Sequence, residues 1–233
     1  MISPAMTRII GHLPKGLIRY LSTKILNGYV NKYANINVKN ENNLKDIKGP
    51  VIFICNHLSN SDALILDRVL KDKDVTFAAG VKLNSNSLTS LGLSIVKTTP
   101  IRPNSADKEG IKKIIDIVKS GGNVLIFPEG TRSRTGKMIK AKKGIVLIAK
   151  LCKVPIVPIG MAGTEKLLPI NSEGKMEMEK FNYADIHVNI GKMFDLPKRL
   201  EGESGKEYDD RAIEFLMRNI SELLPENYRG EYL

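Results

Sequence analysis

From Gly49 onward, short apolar runs alternate with stretches whose apolar residues recur every three or four positions. Runs of four to eight apolar residues bounded by turn formers read as strands, and the longer periodic segments read as helices. The pattern predicts strands at Val51 to Cys55, Val75 to Ala79, Leu93 to Thr98, Asn123 to Phe127, Ile156 to Ile159 and Ile186 to Ile190. The clearest helix runs from Ser105 to Ser120. Asp107 and Glu109 fall in its first turn, Ile111, Ile114, Ile115 and Val118 share one face, and Gly121-Gly122 stops it. Further helices are expected at Ala63 to Lys71, Lys143 to Lys153 and Lys206 to Leu224. Alternation of this kind is the signature of an α/β fold with a mixed, largely parallel sheet flanked by helices.

The first forty residues differ. Arg8, Lys15, Arg19, Lys24, Lys32 and Lys39 are basic, and no acidic residue precedes Glu41. Between Gly16 and Tyr33, Leu17, Ile18, Leu21, Ile25 and Tyr29 recur at helical spacing, although Lys32 interrupts the stripe. A basic helix of this kind can lie in the headgroup plane of an anionic membrane, or it can pack its stripe on the core with its basic residues in water. The pattern leaves both readings open. It divides the chain into an N-terminal basic helical segment, residues 1–40, and an α/β domain, residues 41–233.

Composition adds one constraint. Thirty-six basic residues against 25 acidic ones leave a formal charge of +11, a field that favours nucleic acid, phosphate-bearing substrates or an acidic lipid surface. Aromatic residues make up 6% of the chain and no helix-turn-helix or zinc pattern occurs, which argues against nucleic acid. Cys55 and Cys152 lack paired or metal-ligand spacing and fit a reducing compartment. The longest uncharged stretch, Leu83 to Val96, is rich in Ser and Asn and falls short of the ~20 apolar residues of a spanning helix. No signal peptide is expected, since Arg8, Pro14 and Lys15 break the opening apolar run.

Two constellations carry candidate chemistry. In the first, the strand ending at Cys55 runs directly into Asn56-His57, and Asp62 opens the next helix five residues later. Loops at the carboxyl ends of strands are where α/β folds carry their active groups. A turn could bring the Asp62 carboxylate onto the ring, making His57 a base for a substrate hydroxyl. The alternative is a histidine that ends a strand and an aspartate that favours a helix N-terminus. No metal site is expected, because His12 and His187 have no partners at ligand spacing. Cys55 lies in an apolar run and reads as an inert core thiol.

In the second, Phe127-Pro128-Glu129-Gly130-Thr131-Arg132-Ser133 follows another apolar strand and precedes a basic tract with Arg134, Lys137, Lys140, Lys142 and Lys143. Arg132 offers a planar fork suited to phosphate. Glu129 could orient an arginine or accept from a substrate hydroxyl. Arg102, in Thr99-Pro100-Ile101-Arg102, is a second candidate phosphate ligand. Val154-Pro155-Ile156-Val157-Pro158 reads as a short strand that walls a pocket or edges the sheet.

Taken in order, Asn56-His57 with Asp62, then Arg102, then Phe127 to Ser133, then Val154 to Pro158 resemble the four motifs of the glycerolipid acyltransferase superfamily. The likeness is greatest to its 1-acyl-sn-glycerol-3-phosphate acyltransferases and covers roughly Gly49 to Leu168. The resemblance implies an α/β fold with an N-terminal amphipathic membrane-docking element, to which Arg8, Lys15, Leu17, Ile18, Arg19, Leu21, Lys24 and Ile25 are assigned. It implies that His57, oriented by Asp62, deprotonates the sn-2 hydroxyl of lysophosphatidic acid, and that Arg102, Glu129, Gly130, Thr131 and Arg132 hold the glycerol-phosphate. The acyl donor would be an acyl-CoA or acyl-carrier-protein thioester, with no cofactor and no metal. Phosphatidic acid would form at the cytoplasmic face of a membrane, the protein being peripheral or monotopic. Glycerol-3-phosphate or another lysophospholipid is the alternative acceptor, and a non-catalytic basic protein binding membrane or nucleic acid is the alternative class. Ala141 stands where relatives often carry an aromatic residue.

Overall fold

The computed structural model describes residues 14–80, 95–102, 107–171 and 179–233. Arg8, the beginnings of the expected strand at Leu93 and helix at Ser105, and most of the polar stretch from 171 to 180 lie outside them, as does the Lys15 side chain.

The described elements run α1 (Lys15–Tyr33), β1 (Ala34–Lys39), β2 (Ile52–Cys55), α2 (Asp62–Val69), β3 (Val75–Gly80), β4 (Thr98–Ile101), α3 (Lys108–Lys119), β5 (Asn123–Ile126), α4 (Gly144–Cys152), β6 (Ile156–Ala162), the short α5 (Thr164–Leu167), β7 (Ala184–Ile190) and α6 (Gly205–Ser221). The strands form one seven-stranded sheet in the order β1-β7-β6-β2-β5-β3-β4. Every pairing is parallel except β6 with β7, so β7 and β1 run against the other five. This is the mixed, largely parallel sheet flanked by helices that the alternation predicted.

All four residues of β2 are buried, because the strand lies between β5 and β6 with helices over both faces. Period-two alternation sends Phe53 and Cys55 into the core beneath α1 and α2, and Ile52 and Ile54 into the core beneath α3, α4 and α6. Removing the Phe53 ring would cost about 3–5 kcal/mol through lost burial and the cavity left behind.

Three elements differ from the sequence pattern. β1 lies within the segment read as N-terminal and separate, yet it pairs with β7 over six positions from Ala34↔Ala184 to Lys39↔Asn189. The edge strand carrying Arg102 is Thr98–Ile101, not the more apolar run before it, with Pro100 tolerated because β4 has a neighbour on one side alone. β6 is longer than expected and is an interior strand, buried at all seven positions, neither an edge nor a pocket wall. Pro158 fits there because the ladder to β7 begins one residue later, at Ile159↔Ile190.

The N-terminal helix turns part of its stripe toward the core. Leu26 and Val30 are buried, and Ile18, Ile25 and Tyr29 pack against the same core. Leu17 and Tyr20 remain outward, 43% and 54% exposed, with Arg19 and Lys24 exposed beside them and Leu21 half-buried. Among the described residues no helix is long and apolar enough to cross a membrane.

Candidate active site

The site begins where β2 runs out. Asn56 is fully buried and its amide clasps β6: Nδ2 donates to Met161 O and Oδ1 accepts from Met161 N, both at 2.8 Å. This pins the chain as it leaves the sheet and delivers His57 to the strand's carboxyl end.

The loop that follows folds onto Asp62, the first residue of α2. Asp62 Oδ2 accepts from Leu58 N at 2.7 Å and Ser59 N at 3.0 Å, and it lies 2.7 Å from His57 Nδ1. Two obligatory backbone donors occupy that oxygen, and a carboxylate there can only accept. Nδ1 must then carry the proton, leaving Nε2 as the imidazole's acceptor. Asp62 is completely buried, whereas the His57 side chain is 22% exposed, so the carboxylate is sealed while the imidazole remains accessible. Phe127 stacks on the imidazole, centroids 4.1 Å apart and planes 15° apart, and limits its rotation.

The motif after β5 makes a tight turn closed by Gly130 N donating to Phe127 O at 3.0 Å. Gly130 has φ of +68°, a conformation that favours glycine, and a side chain there would also crowd the stem of Lys142. Glu129 points inward and is fully buried. Its Oε1 accepts from His57 N at 3.1 Å and its Oε2 from Ile139 N at 3.2 Å, and burial pushes its pKa up to about 8. Ser133 N donates to His57 O at 2.8 Å. Thr131 is exposed, and Arg132 is paired with Glu179 at 2.8 Å.

A cavity of about 350 Å³ opens beside the dyad. Ile101, Ile111, Ile126, Ile145 and Ile148 form an apolar interior, with His57, Arg102, Lys142 and Gly130 around it. Asp107 also lines it. Its carboxylate accepts from Arg102 N at 2.6 Å and from Gly110 N at 3.0 Å, capping α3, and these bonds hold its pKa below the ordinary value. Asp107 is thus the cap of a helix that starts at Lys108, not a residue of its first turn.

The structure therefore brings His57, Arg102 and Gly130 to one cavity, with Asp62 sealed behind His57, and leaves the side chains of Glu129, Thr131 and Arg132 out of its lining. Sequence reasoning had Lys142 only as one lysine of a basic tract and did not single out Asp107 as a pocket residue. Nor did it find Glu179, whose second oxygen accepts from Asn60 Nδ2 at 2.7 Å. Cys55 is fully buried, its thiol raised well above its ordinary pKa by that burial, and His187 sits on the exposed face of β7. Among the described residues no cluster of three His, Cys, Asp or Glu side chains comes together to hold a metal ion.

A histidine held through Nδ1 by a sealed carboxylate thus stands at a strand terminus of a mixed α/β sheet, beside an apolar cavity. A family model described as Acyltransferase matches residues 35–162, more than half of the chain, and the chain belongs to that family. It is 31% identical over 153 residues to the chloroplastic 1-acyl-sn-glycerol-3-phosphate acyltransferase BAT2 of Brassica napus, an alignment covering 64% of this chain and 42% of that protein. It is 29% identical over 145 residues to the 1-acyl-sn-glycerol-3-phosphate acyltransferase of Bacillus subtilis, covering 62% of this chain and 71% of that one. The chain thus matches less than half the length of the plant relative. The crystal structure of the 1-acyl-sn-glycerophosphate acyltransferase PlsC from Thermotoga maritima shares the fold, with a TM-score of 0.60 at 22% identity over 91% of this chain and 84% of that one.

Proposed function

We propose that the protein transfers a fatty acyl group from an acyl thioester to the sn-2 hydroxyl of 1-acyl-sn-glycerol-3-phosphate, giving phosphatidic acid. The observation that carries this reading is the 2.7 Å contact between His57 Nδ1 and an Asp62 oxygen already held by two backbone N–H groups. That arrangement makes Nε2 a base for a hydroxyl supplied by the substrate. As the proton passes to Nε2, the substrate oxygen attacks the thioester carbonyl. Collapse of the tetrahedral intermediate breaks the C–S bond, and the departing thiolate takes the proton back from the imidazolium. The products are an ester and a free thiol, with no acyl-enzyme and no cofactor. An acyl-CoA and an acyl-carrier-protein thioester satisfy this chemistry equally.

Arg102 and Lys142, both lining the cavity, suit the phosphate, with the exposed backbone at Gly130 able to approach it. Thr131 and Arg132 flank that backbone. The isoleucine-lined interior suits an acyl chain. Docking on the cytoplasmic face of an anionic membrane would use the outward residues of α1, Leu17, Arg19, Tyr20 and Lys24, with the aromatic ring at headgroup depth.

A panel of purified-protein assays decides the matter: lysophosphatidate, glycerol-3-phosphate and lysophosphatidylcholine, each with one acyl-CoA and one acyl-carrier-protein thioester. Turnover restricted to lysophosphatidate is expected. Turnover of glycerol-3-phosphate alone would reassign the acceptor, and none with any pair would remove the catalytic reading. Liposome flotation of a Leu17→Ser, Tyr20→Ser double variant, expected to lose binding most at high salt, tests the docking surface.

A further inference from the structure

We propose that Glu129 is a positioning residue for His57, an interior carboxyl group that fixes the backbone from which the imidazole hangs, and not a ligand of the phosphate head group. Glu129 is fully buried and does not line the cavity. Both of its oxygens are occupied, Oε1 by His57 N–H and Oε2 by Ile139 N–H. The same stretch of chain reaches His57 a second time through Ser133 N–H on His57 O. The histidine's amide and carbonyl are therefore both held by residues 129–133, while its ring is held by Asp62. Nε2 can shift relative to the cavity only if one of these attachments gives way.

The other oxygen extends the constraint. Ile139 follows Met138, whose N–H donates to Tyr228 O at 2.8 Å, and Ala141 N–H donates to Tyr232 Oη at 3.2 Å. Glu129 thus joins the His57 loop to a basic segment that is anchored to the chain's last helical turns and carries Lys142 into the cavity. A carboxyl group suits this because each of its two oxygens can accept, one from each N–H group. A glutamine would satisfy one and turn its own NH₂ toward the other.

The kinetic test rests on the acyl-transfer reading, and the second arm does not. Glu129→Gln should lower kcat by about 10- to 100-fold, since displacement of a reacting group by about 1 Å costs rate on that order. The KM for the acceptor should stay within about twofold, because uniform binding is untouched. A raised acceptor KM with unchanged kcat overturns the proposal. Absence of turnover by the unsubstituted protein would instead count against acyl transfer, leaving the positioning role to the second arm. That arm follows the amide protons of His57 and Ile139 by NMR as pH is varied. Sharing one carboxyl acceptor, they should titrate together, and 10 mM-scale glycerol-3-phosphate, in the roughly millimolar affinity regime, should leave the midpoint in place. The ionisable groups around Glu129 are His57, whose amide it holds, Asp62, which raises its pKa, and Cys55 and Tyr232, whose own pKa values it raises. Independent titrations, or a midpoint moved by the phosphate, overturn the proposal, also where Glu129→Gln fails to fold.

Discussion

The guanidinium of Arg132 is bound by the carboxylate of Glu179, Nη1 to Oε1 at 2.8 Å, with the two side chains 14% and 1% exposed. An arginine from the motif after β5 is thereby tied to a residue from the approach to β7, and Asn60 in the His57 loop joins the same carboxylate. Removing one partner of so enclosed a pair leaves a charge without compensation. Glu179→Ala should lower unfolding stability by about 3 kcal/mol, and Glu179→Gln, which keeps an acceptor, by less. Urea denaturation with an unchanged m-value checks both. Equal stability of all three proteins would mean that the pair contributes nothing.

The Asp62 carboxylate makes a sharper prediction than loss of the ring. In Asp62→Asn the N–H groups of Leu58 and Ser59 keep the amide oxygen at the place of Oδ2, so Nδ1–H retains its acceptor and what is lost is the negative charge that stabilises the imidazolium. Transfer should fall by about tenfold or somewhat more, the difference between a charged and a neutral acceptor. Single-turnover rates measure this, and an unchanged rate would show that the charge of Asp62 is not used.

Ile148 is buried and lines the cavity, so Ile148→Phe should shorten the space open to an acyl chain. Each methylene kept out forfeits about 0.8 kcal/mol, or roughly fourfold in kcat/KM. A series of acyl thioesters should therefore show long chains penalised and short ones spared. A uniform fall across the series would point to a packing defect instead.

Asp107 yields a pH prediction. Its bonds to Gly110 N and Arg102 N lower its folded-state pKa below 3.8. A depressed carboxyl contributes stability above the unfolded pKa and loses it as pH falls through the folded value. The stability difference between the native protein and Asp107→Asn should be full at pH 7 and shrink below about pH 4. A difference that is constant from pH 7 to pH 3 would contradict this assignment.

The sheet's interior was readable in the sequence because Val51 to Cys55 and Asn123 to Phe127 are apolar enough to be buried on both faces. β1 escaped notice because Ala-Asn-Ile-Asn-Val-Lys alternates with weak contrast and follows a helix without a break. Its partner β7 lies some 150 residues away, as the Ala34↔Ala184 pairing shows, and local periodicity cannot register such a distance. β4 was misjudged for the opposite reason: the apolar run before it outweighed a proline that an edge position tolerates. At the site, His57, Asp62, Arg102 and Gly130 were singled out in the sequence, but for His57 and Asp62 a strand end and a helix N-terminus served as well until the ordered motifs were taken together. The direction of Glu129 was not. As the lone acid in a basic tract it reads as a ligand, and only its burial against two backbone donors reveals where it points. Lys142 was hidden for a related reason, since nothing local separates one lysine of a charged run from its neighbours.

The burial of β2 also bears on how such a protein can vary. Because this strand lies deep in the sheet, its amides should open to solvent only when the whole molecule comes apart, so His57 at its tip inherits the rigidity of the most stable part of the fold. The residues proposed to meet the substrate lie farther out, on an edge strand, a glycine turn and a helix flank. On the proposed reading, changes there would retune which lipid is accepted while the geometry around His57 stays as it is, separating the evolution of selectivity from that of the reaction itself.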